Sequence, residues 1–309
     1  MITTQLQPLP HGITLSVRSA GAPGRPVLLF LHGFPEGAFV WDALLAHFSQ
    51  PLHGGFRCVA PNLRGFEQSS APPEPAAYRA KHLVQDIAAL IAIESPGQPL
   101  AALVAHDWGG AVAWNLANQQ PGLMQRLCIL NSPHPGTFLR DMQHDARQQA
   151  ASAYMNFLIR PDAEEKLAEQ DYRRLWVFLN QLGQTEGAPW LTKAVKAQYR
   201  AVWADPPGTA LGTGLRGGCN YYRASPLRPP RADDPAAQAI SLPREMLTVQ
   251  VPTQVIWGLQ DHALLPGLLD GLTDYIPQLS VHRVPDASHW IVHEQPEQVI
   301  ALLADFLAP

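Results

Sequence analysis

An α/β fold, a mostly parallel sheet with helices on both faces and one all-helical insertion, is predicted by three observations. Short apolar runs alternate with helical periodicity through the first 133 residues, and again after about residue 244. Between them, from His134 to about Arg244, the chain is helical and aromatic, with Pro- and Gly-rich joints and no clear strand. Composition agrees: 309 residues, 46% hydrophobic and only 16% charged, suit a globular chain with a deep core. The expected division is a core of residues 1–133 and 244–309, with residues 134–243 as a helical lid over the sheet's active edge.

The elements follow in order. His11 to Ser19 alternates like an edge strand, and Pro26 to Leu31 is a buried strand running into His32-Gly33-Phe34-Pro35-Glu36. Trp41 to Phe48 reads as a helix, Phe56 to Ala60 as a strand, and Tyr78 to Glu94 as a long amphipathic helix. Leu100 to Ala105 is a strand that stops at His106-Asp107, followed by a helix to about Gln119. Met124 to Leu130 is the next strand, ending at Asn131-Ser132-Pro133. After the insertion come a strand from Val251 to Trp257, a helix around Leu264 to Tyr275, a strand from Ser280 to Val284, and a final helix from about Pro296. The Pro-rich stretch Ala224 to Pro235 reads as the joint back to the core.

Several function classes are excluded early. A net charge of −4 leaves no electrostatic footprint for nucleic acid or an anionic membrane. No stretch approaches the ~18 uninterrupted apolar residues of a membrane span, and the first residues lack a secretory signal. Cys58, Cys128 and Cys219 are odd in number and widely spaced, which gives neither a disulfide framework nor a zinc pattern. A soluble cytoplasmic protein is the expectation. Gly212-Thr213-Gly214-Leu215-Arg216-Gly217 matches a dinucleotide-binding fingerprint, but Ala204-Asp205-Pro206-Pro207-Gly208 before it cannot form the strand that fingerprint requires.

In doubly wound sheets, ligand sites form at the carboxyl ends of the strands. Four groups of chemistry-bearing residues fall there: His32-Gly33-Phe34-Pro35, Asp107, Asp261 after Trp257-Gly258, and His289 within Asp286-Ala287-Ser288-His289-Trp290. Ala105-His106-Asp107-Trp108-Gly109 has the small-x-nucleophile-x-small pattern of a nucleophile elbow, with aspartate in the place of the usual serine. The order Asp107, Asp261, His289 supplies a nucleophile, an acid and a base. An aspartate nucleophile selects its electrophile. Serine attacking saturated carbon leaves an ether that water cannot readily cleave, whereas a carboxylate leaves an ester that it can. The substrate should therefore carry an sp³ electrophile with a leaving group, as an epoxide or a carbon–halogen bond does.

The chain resembles the α/β-hydrolases of the epoxide hydrolase and haloalkane dehalogenase branch, and within it most closely the epoxide hydrolases. The matching pieces are His32-Gly33-Phe34-Pro35-Glu36, Arg64-Gly65-Phe66, His106-Asp107-Trp108-Gly109-Gly110, Asn131-Ser132-Pro133-His134-Pro135, Asn220-Tyr221-Tyr222-Arg223, Trp257-Gly258 with Asp261, and Ser288-His289-Trp290. Glu67 departs from the glycine more usual there, and the first half of the insertion diverges.

The resemblance implies an eight-stranded α/β-hydrolase core, an ester on Asp107 and a water activated by His289, with Asp261 holding the imidazole. It also implies backbone N–H donors at Phe34 and Trp108 for the oxyanion. Tyr222 matches the family's lid tyrosine, which would hydrogen-bond the opening epoxide oxygen. For a second lid tyrosine the register set by Pro161 points to Phe157, with Tyr154 one helical turn earlier on the same face. A dehalogenase is the alternative, with Trp108 and one of Trp176, Trp190 or Trp203 as halide donors; a non-catalytic binding protein on the same fold is another. His106 is expected to order the elbow and Arg64 to brace nearby loops. Met155, Phe157, Leu158, Trp176, Phe178, Trp190 and Trp203 give the lid an apolar inner face, with Phe34, Trp108, Phe157 and Tyr222 against the substrate. The expected substrate is a small, neutral, largely apolar epoxide, with no metal or organic cofactor.

Overall fold

A computed structural model describes residues 1–182, 188–231, 234 and 239–308. Eight strands form a single sheet: β1 (Thr3–Pro8), β2 (Thr14–Ala20), β3 (Val27–Leu31), β4 (Arg57–Pro61), β5 (Ala102–His106), β6 (Leu127–Leu130), β7 (Thr253–Gly258) and β8 (Leu279–Val284), in the order β1-β2-β4-β3-β5-β6-β7-β8. The pairs β1–β2 and β2–β4 are antiparallel, and every later pair is parallel. Strands β3, β5, β6 and β7 are buried along their whole length, which is why they read as unbroken apolar runs.

Helices cover both faces. In the core these are α1 (Asp42–Phe48), α2 (Ala80–Glu94) and α3 (Asp107–Gln119). Between β6 and β7 the chain forms α4 (Pro135–His144), α5 (Ala146–Ala151), α6 (Tyr154–Leu158), α7 (Ala163–Gln181), α8 (Lys193–Trp203) and α9 (Thr213–Ala224), before α10 (Ile291–Glu294) and α11 (Pro296–Leu307) close the fold. No described helix is long and apolar enough to cross a membrane.

The structure departs from the sequence expectations in three places. Thr3–Pro8 is a strand that periodicity does not reveal, because it lies at the sheet edge with almost every residue exposed and so carries no apolar signal. It displaces β2 from the edge: Leu15, Ser16 and Val17 are buried between β1 and β4. The helix expected around Leu264 to Tyr275 is instead two short 3-10 turns, Pro266–Leu269 and Leu272–Asp274. Pro266 and the left-handed Gly271 break the hydrogen-bond ladder a longer helix would need. Of the expected joint from Ala224 to Pro235, residues 232, 233 and 235 lie outside the described residues.

Glu67 adopts a left-handed φ of 51°, a conformation that favours glycine. Its carboxylate is held by the Ser16 hydroxyl at 2.7 Å and by the Asn62 side-chain amide, contacts that glycine could not make. The glycine-rich Gly212–Gly217 stretch opens α9 with no strand before it. The Asp205 carboxylate takes the amides of Gly212 and Gly214 at 3.0 and 2.8 Å, where a phosphate would have to bind.

Candidate active site

Asp107 is the first residue of α3, directly after β5, and takes a left-handed φ of 48°. That conformation costs a non-glycine residue about 1–2 kcal/mol. Packing below the turn compensates: a Cβ on Gly109 would lie 2.4 Å from the Leu31 carbonyl oxygen, so only glycine lets α3 begin this close to β3. The backbone carbonyl of Asp107 accepts the Ser132 hydroxyl at 2.6 Å, and its Oδ1 accepts the Phe34 amide at 2.7 Å. The carboxylate therefore projects from the carboxyl end of the sheet with one oxygen held and the other free.

The free oxygen faces an imidazole. His289 Nε2 lies 3.8 Å from Asp107 Oδ2, while Nδ1 lies 2.7 Å from Asp261 Oδ2. Asp261 is fixed in turn: its Oδ1 accepts the amides of Ala263 and Leu264 at 2.8 Å each, and Oδ2 accepts Asn131 Nδ2 at 2.8 Å. Burial alone would raise the Asp261 carboxyl, but the adjacent His289 and these donors hold it below the usual carboxylate range. An ionised Asp261 accepts the Nδ1 proton, leaving Nε2 to face Asp107.

Burial likewise disfavours the His289 imidazolium. Asp261, together with Asp107 and Glu36, outweighs it and lifts the group to about 9. Asp107 is raised by burial, a shift opposed by His289, His106 and the Phe34 and Trp108 amides.

Behind these three residues lies a buried layer of which sequence reading singled out only His106, as the residue that orders the elbow, and gave no role to Glu36, Tyr199 or His293. His106 bridges Glu36 Oε2 through Nδ1 at 2.8 Å and the His289 backbone carbonyl through Nε2 at 2.9 Å, all in the buried interior. Burial would raise the Glu36 carboxyl, but His106 and His293 pull it well below its ordinary range. From α8, Tyr199 donates to Glu36 Oε1 at 3.3 Å and lies 2.9 Å from His293 Nε2. A buried glutamate after a strand was the available signal, since such a charge requires partners. Asn131 was visible only as part of a motif; its φ of 36° aims the side chain at both Asp261 and the Gly258 amide. Arg64 braces as expected, with a fork onto Asp86 at 2.7 and 2.6 Å and a bond to the Ala77 carbonyl.

The helical insertion supplies an aromatic wall opposite Asp107. Helix α9 is pinned to the core where Gly217 meets Gly65: a Cβ on Gly217 would stand 2.3 Å from Gly65 Cα. Tyr221 also donates to the Arg64 carbonyl at 3.0 Å. These contacts place Tyr222 at 5.1 Å from Trp108, 5.3 Å from Phe34 and 6.1 Å from Tyr154, ring centre to ring centre. Tyr154, Tyr222, Trp108 and Asp107 line a largely apolar cavity of about 310 Å³. Both phenols are shifted upward, by burial first and also by the Asp107 carboxylate, so both remain protonated donors near neutral pH.

Tyr154, rather than Phe157, therefore shares the cavity with Tyr222. Phe157, on the short α6, lines instead a second cavity that Tyr154 also lines, which corrects the register expected for the second lid tyrosine. Two of the candidate halide donors are committed elsewhere: Trp176 Nε1 donates to the Asp171 carbonyl and Trp203 Nε1 to the Pro35 carbonyl. Trp190 stacks on His293 at 4.4 Å.

Comparison with known proteins places this geometry. The family model for the alpha/beta hydrolase fold matches residues 26–296. The chain is 32% identical to YfhM, an AB hydrolase superfamily protein of Bacillus subtilis, over 96% of its own length and 95% of the relative's. It is 31% identical to Epoxide hydrolase 3 of Xenopus tropicalis, covering 96% of this chain and 75% of that protein. Among solved structures it is similar to a Bacillus megaterium epoxide hydrolase in complex with an inhibitor, with a TM-score of 0.84, 31% identity, and 98% and 99% of the two chains covered. It is also similar to an epoxide hydrolase from metagenomes of hot environments, with a TM-score of 0.85, 34% identity, and 100% and 99% covered.

Proposed function

The chain belongs to the α/β-hydrolase fold family, in its epoxide hydrolase branch, and from that premise we propose that it hydrolyses an epoxide to a vicinal diol through an ester on Asp107. One observation carries the reading: a carboxylate at an elbow, an imidazole 3.8 Å from its free oxygen, and two protonated phenols across an apolar cavity.

In the first step Asp107 Oδ2 attacks an epoxide carbon. The carbon–oxygen bond breaks toward the epoxide oxygen, which takes hydrogen bonds from Tyr222 and Tyr154 and one proton from one of them, leaving that residue a tyrosinate. Forming the ester removes the negative charge of Asp107, one of the groups that lift His289. The histidine then releases its proton more readily, the tyrosinate left by the first step takes it up, and the neutral imidazole becomes a base only after the alkylation that needs it. In the second step Nε2 takes a proton from water, and the oxygen adds to the ester carbon. The oxyanion forms on Oδ1, at the Phe34 amide already 2.7 Å away, with the Trp108 amide beside it. Collapse expels the diol oxygen, which takes the proton held on Nε2, and the carboxylic acid left on Asp107 returns its own proton to Nε2 and so restores the carboxylate and the imidazolium. One such donor is worth about 3 kcal/mol of barrier.

The helical segment of residues 134–243 acts as the lid that supplies the phenols and excludes bulk water. A parallel assay of styrene oxide and a haloalkane tests the function. Diol formation without halide release is expected; halide release with inert epoxide would transfer the chain to dehalogenation, and no turnover of either would leave a binding protein.

A further inference from the structure

The cavity at Asp107 is longer than the reacting centre needs. Asp107, Ala111 and Asn115 all line it, as do Trp108 and Val112 between them. Residues four and eight apart share one helix face, so the cavity follows α3 for two turns, and Asn115 stands about 12 Å along the axis from Asp107. Met246 lines the same cavity. Its turn is held against the far end of α3, where Asn118 Nδ2 donates to the Glu245 and Thr248 carbonyls at 2.9 and 2.7 Å. Met246 is 56% exposed, so this is the end that meets solvent.

Few polar side chains interrupt the apolar lining, and away from the reacting groups all but one are committed within the protein. Tyr78 donates to the Pro72 carbonyl at 2.9 Å, Tyr221 to the Arg64 carbonyl at 3.0 Å and Ser132 to the Asp107 carbonyl at 2.6 Å. Ser225 Oγ accepts the Leu227 amide at 3.2 Å and donates to the Leu227 carbonyl at 3.4 Å. Asn115 is the exception. Its Nδ2 donates to the Ala111 carbonyl at 2.8 Å, one helical turn back. A carbonyl can only accept, so this bond fixes which end of the carboxamide is which and leaves Oδ1 over. Among the described residues Oδ1 has no partner. No lysine or arginine lines the cavity.

We infer that Asn115 is a specificity-determining residue. The substrate it selects carries a neutral hydrogen-bond donor, a hydroxyl in the simplest case, on an apolar arm about 10–12 Å from the carbon that Asp107 attacks. This assignment rests on the epoxide hydrolase reading and narrows its substrate class. A free acceptor in an apolar wall rewards only a group with a hydrogen to give. A carboxylate there would set oxygen against oxygen with no cation beside it, and an ether or alkyl end would cover Oδ1 without bonding it. Asn115 is half-buried, so water competes for Oδ1 and the gain is modest.

The test compares 9,10-epoxydecan-1-ol, its methyl ether and styrene oxide as substrates of the full chain. The alcohol should have a kcat/KM about three- to tenfold above the ether. The difference should lie mainly in KM, because the contact is made equally before and during the reaction. Asn115→Leu and Asn115→Ala should each bring the ratio to about one, and hydrolysis of styrene oxide, too short to reach Asn115, reports that each variant is folded. Equal values for alcohol and ether in the unaltered protein, a preference for the ether, or a preference for the alcohol that survives both variants would overturn the assignment. If styrene oxide is still hydrolysed in that case, the subsite alone fails; if none of the three epoxides is opened, the proposed function falls and the subsite with it.

Discussion

The carboxyl edge of the sheet and the helical insertion place their reactive groups by different means. Asp107, Asp261 and His289 sit in tight loops where backbone geometry, amide donors and buried side chains leave each group one position. Tyr154 and Tyr222 sit on helices and are placed by ring packing, with α9 pinned at Gly217 and the five-residue α6 much less tied. The difference suggests a division of labour. In the proposed mechanism the edge would provide the covalent chemistry, and the insertion would select the leaving group and the substrate.

Substitutions can break that comparison. Asp107→Ala removes the atom that would form the ester, and kcat/KM for styrene oxide should fall by on the order of 10⁴-fold or more, with no adduct in the mass spectrum. His289→Gln should still alkylate but hydrolyse the ester about 10²–10⁴-fold more slowly, so that intact-mass measurement finds the adduct accumulating. On the insertion, Tyr222→Phe should slow alkylation by about 100-fold in stopped-flow single turnovers, the value of one donor to a developing oxyanion. Tyr154→Phe should also slow it, and the double variant should be slower than either. If both single variants left alkylation untouched, the insertion would have no part in leaving-group activation.

The pH profile sharpens the same contrast. His289 is lifted to about 9 while Asp107 is charged, so the free site holds an imidazolium there at neutral pH. Once the ester forms, the lift from Asp107 is lost and the base is needed neutral. The kcat for an ester-hydrolysis-limited substrate should therefore fall as pH drops through a value below about 9. In contrast kcat/KM should fall on the acid side only when Asp107 protonates, above the ordinary aspartate value because burial raises it. Phe157→Leu should produce the smallest change, less than about threefold on styrene oxide, because its ring lines the second cavity and not the one at Asp107.

The two regions also differ in what their residues disclose. Asp107, Asp261 and His289 were legible because strand ends punctuate a sequence sharply, an apolar run stopping at a polar residue beside glycine or alanine. Glu36 and His106 form their contact 70 residues apart in the chain, and no local pattern encodes that pairing. Strand β1 escaped because an exposed edge carries no apolar alternation. The choice between Tyr154 and Phe157 escaped for another reason. Residues three apart on a helix share a face, so periodicity cannot rank them, and only the packing of α6 against α9 turned Tyr154 toward Asp107.

Everything above depends on oxygen from Asp107 entering the product. A single turnover of styrene oxide with excess enzyme in heavy-oxygen water tests this directly. The account predicts a first diol free of label and one heavy oxygen in the peptide that contains Asp107. Label in the first diol, with that peptide unlabelled, would mean that water attacks the epoxide itself and would contradict the ester.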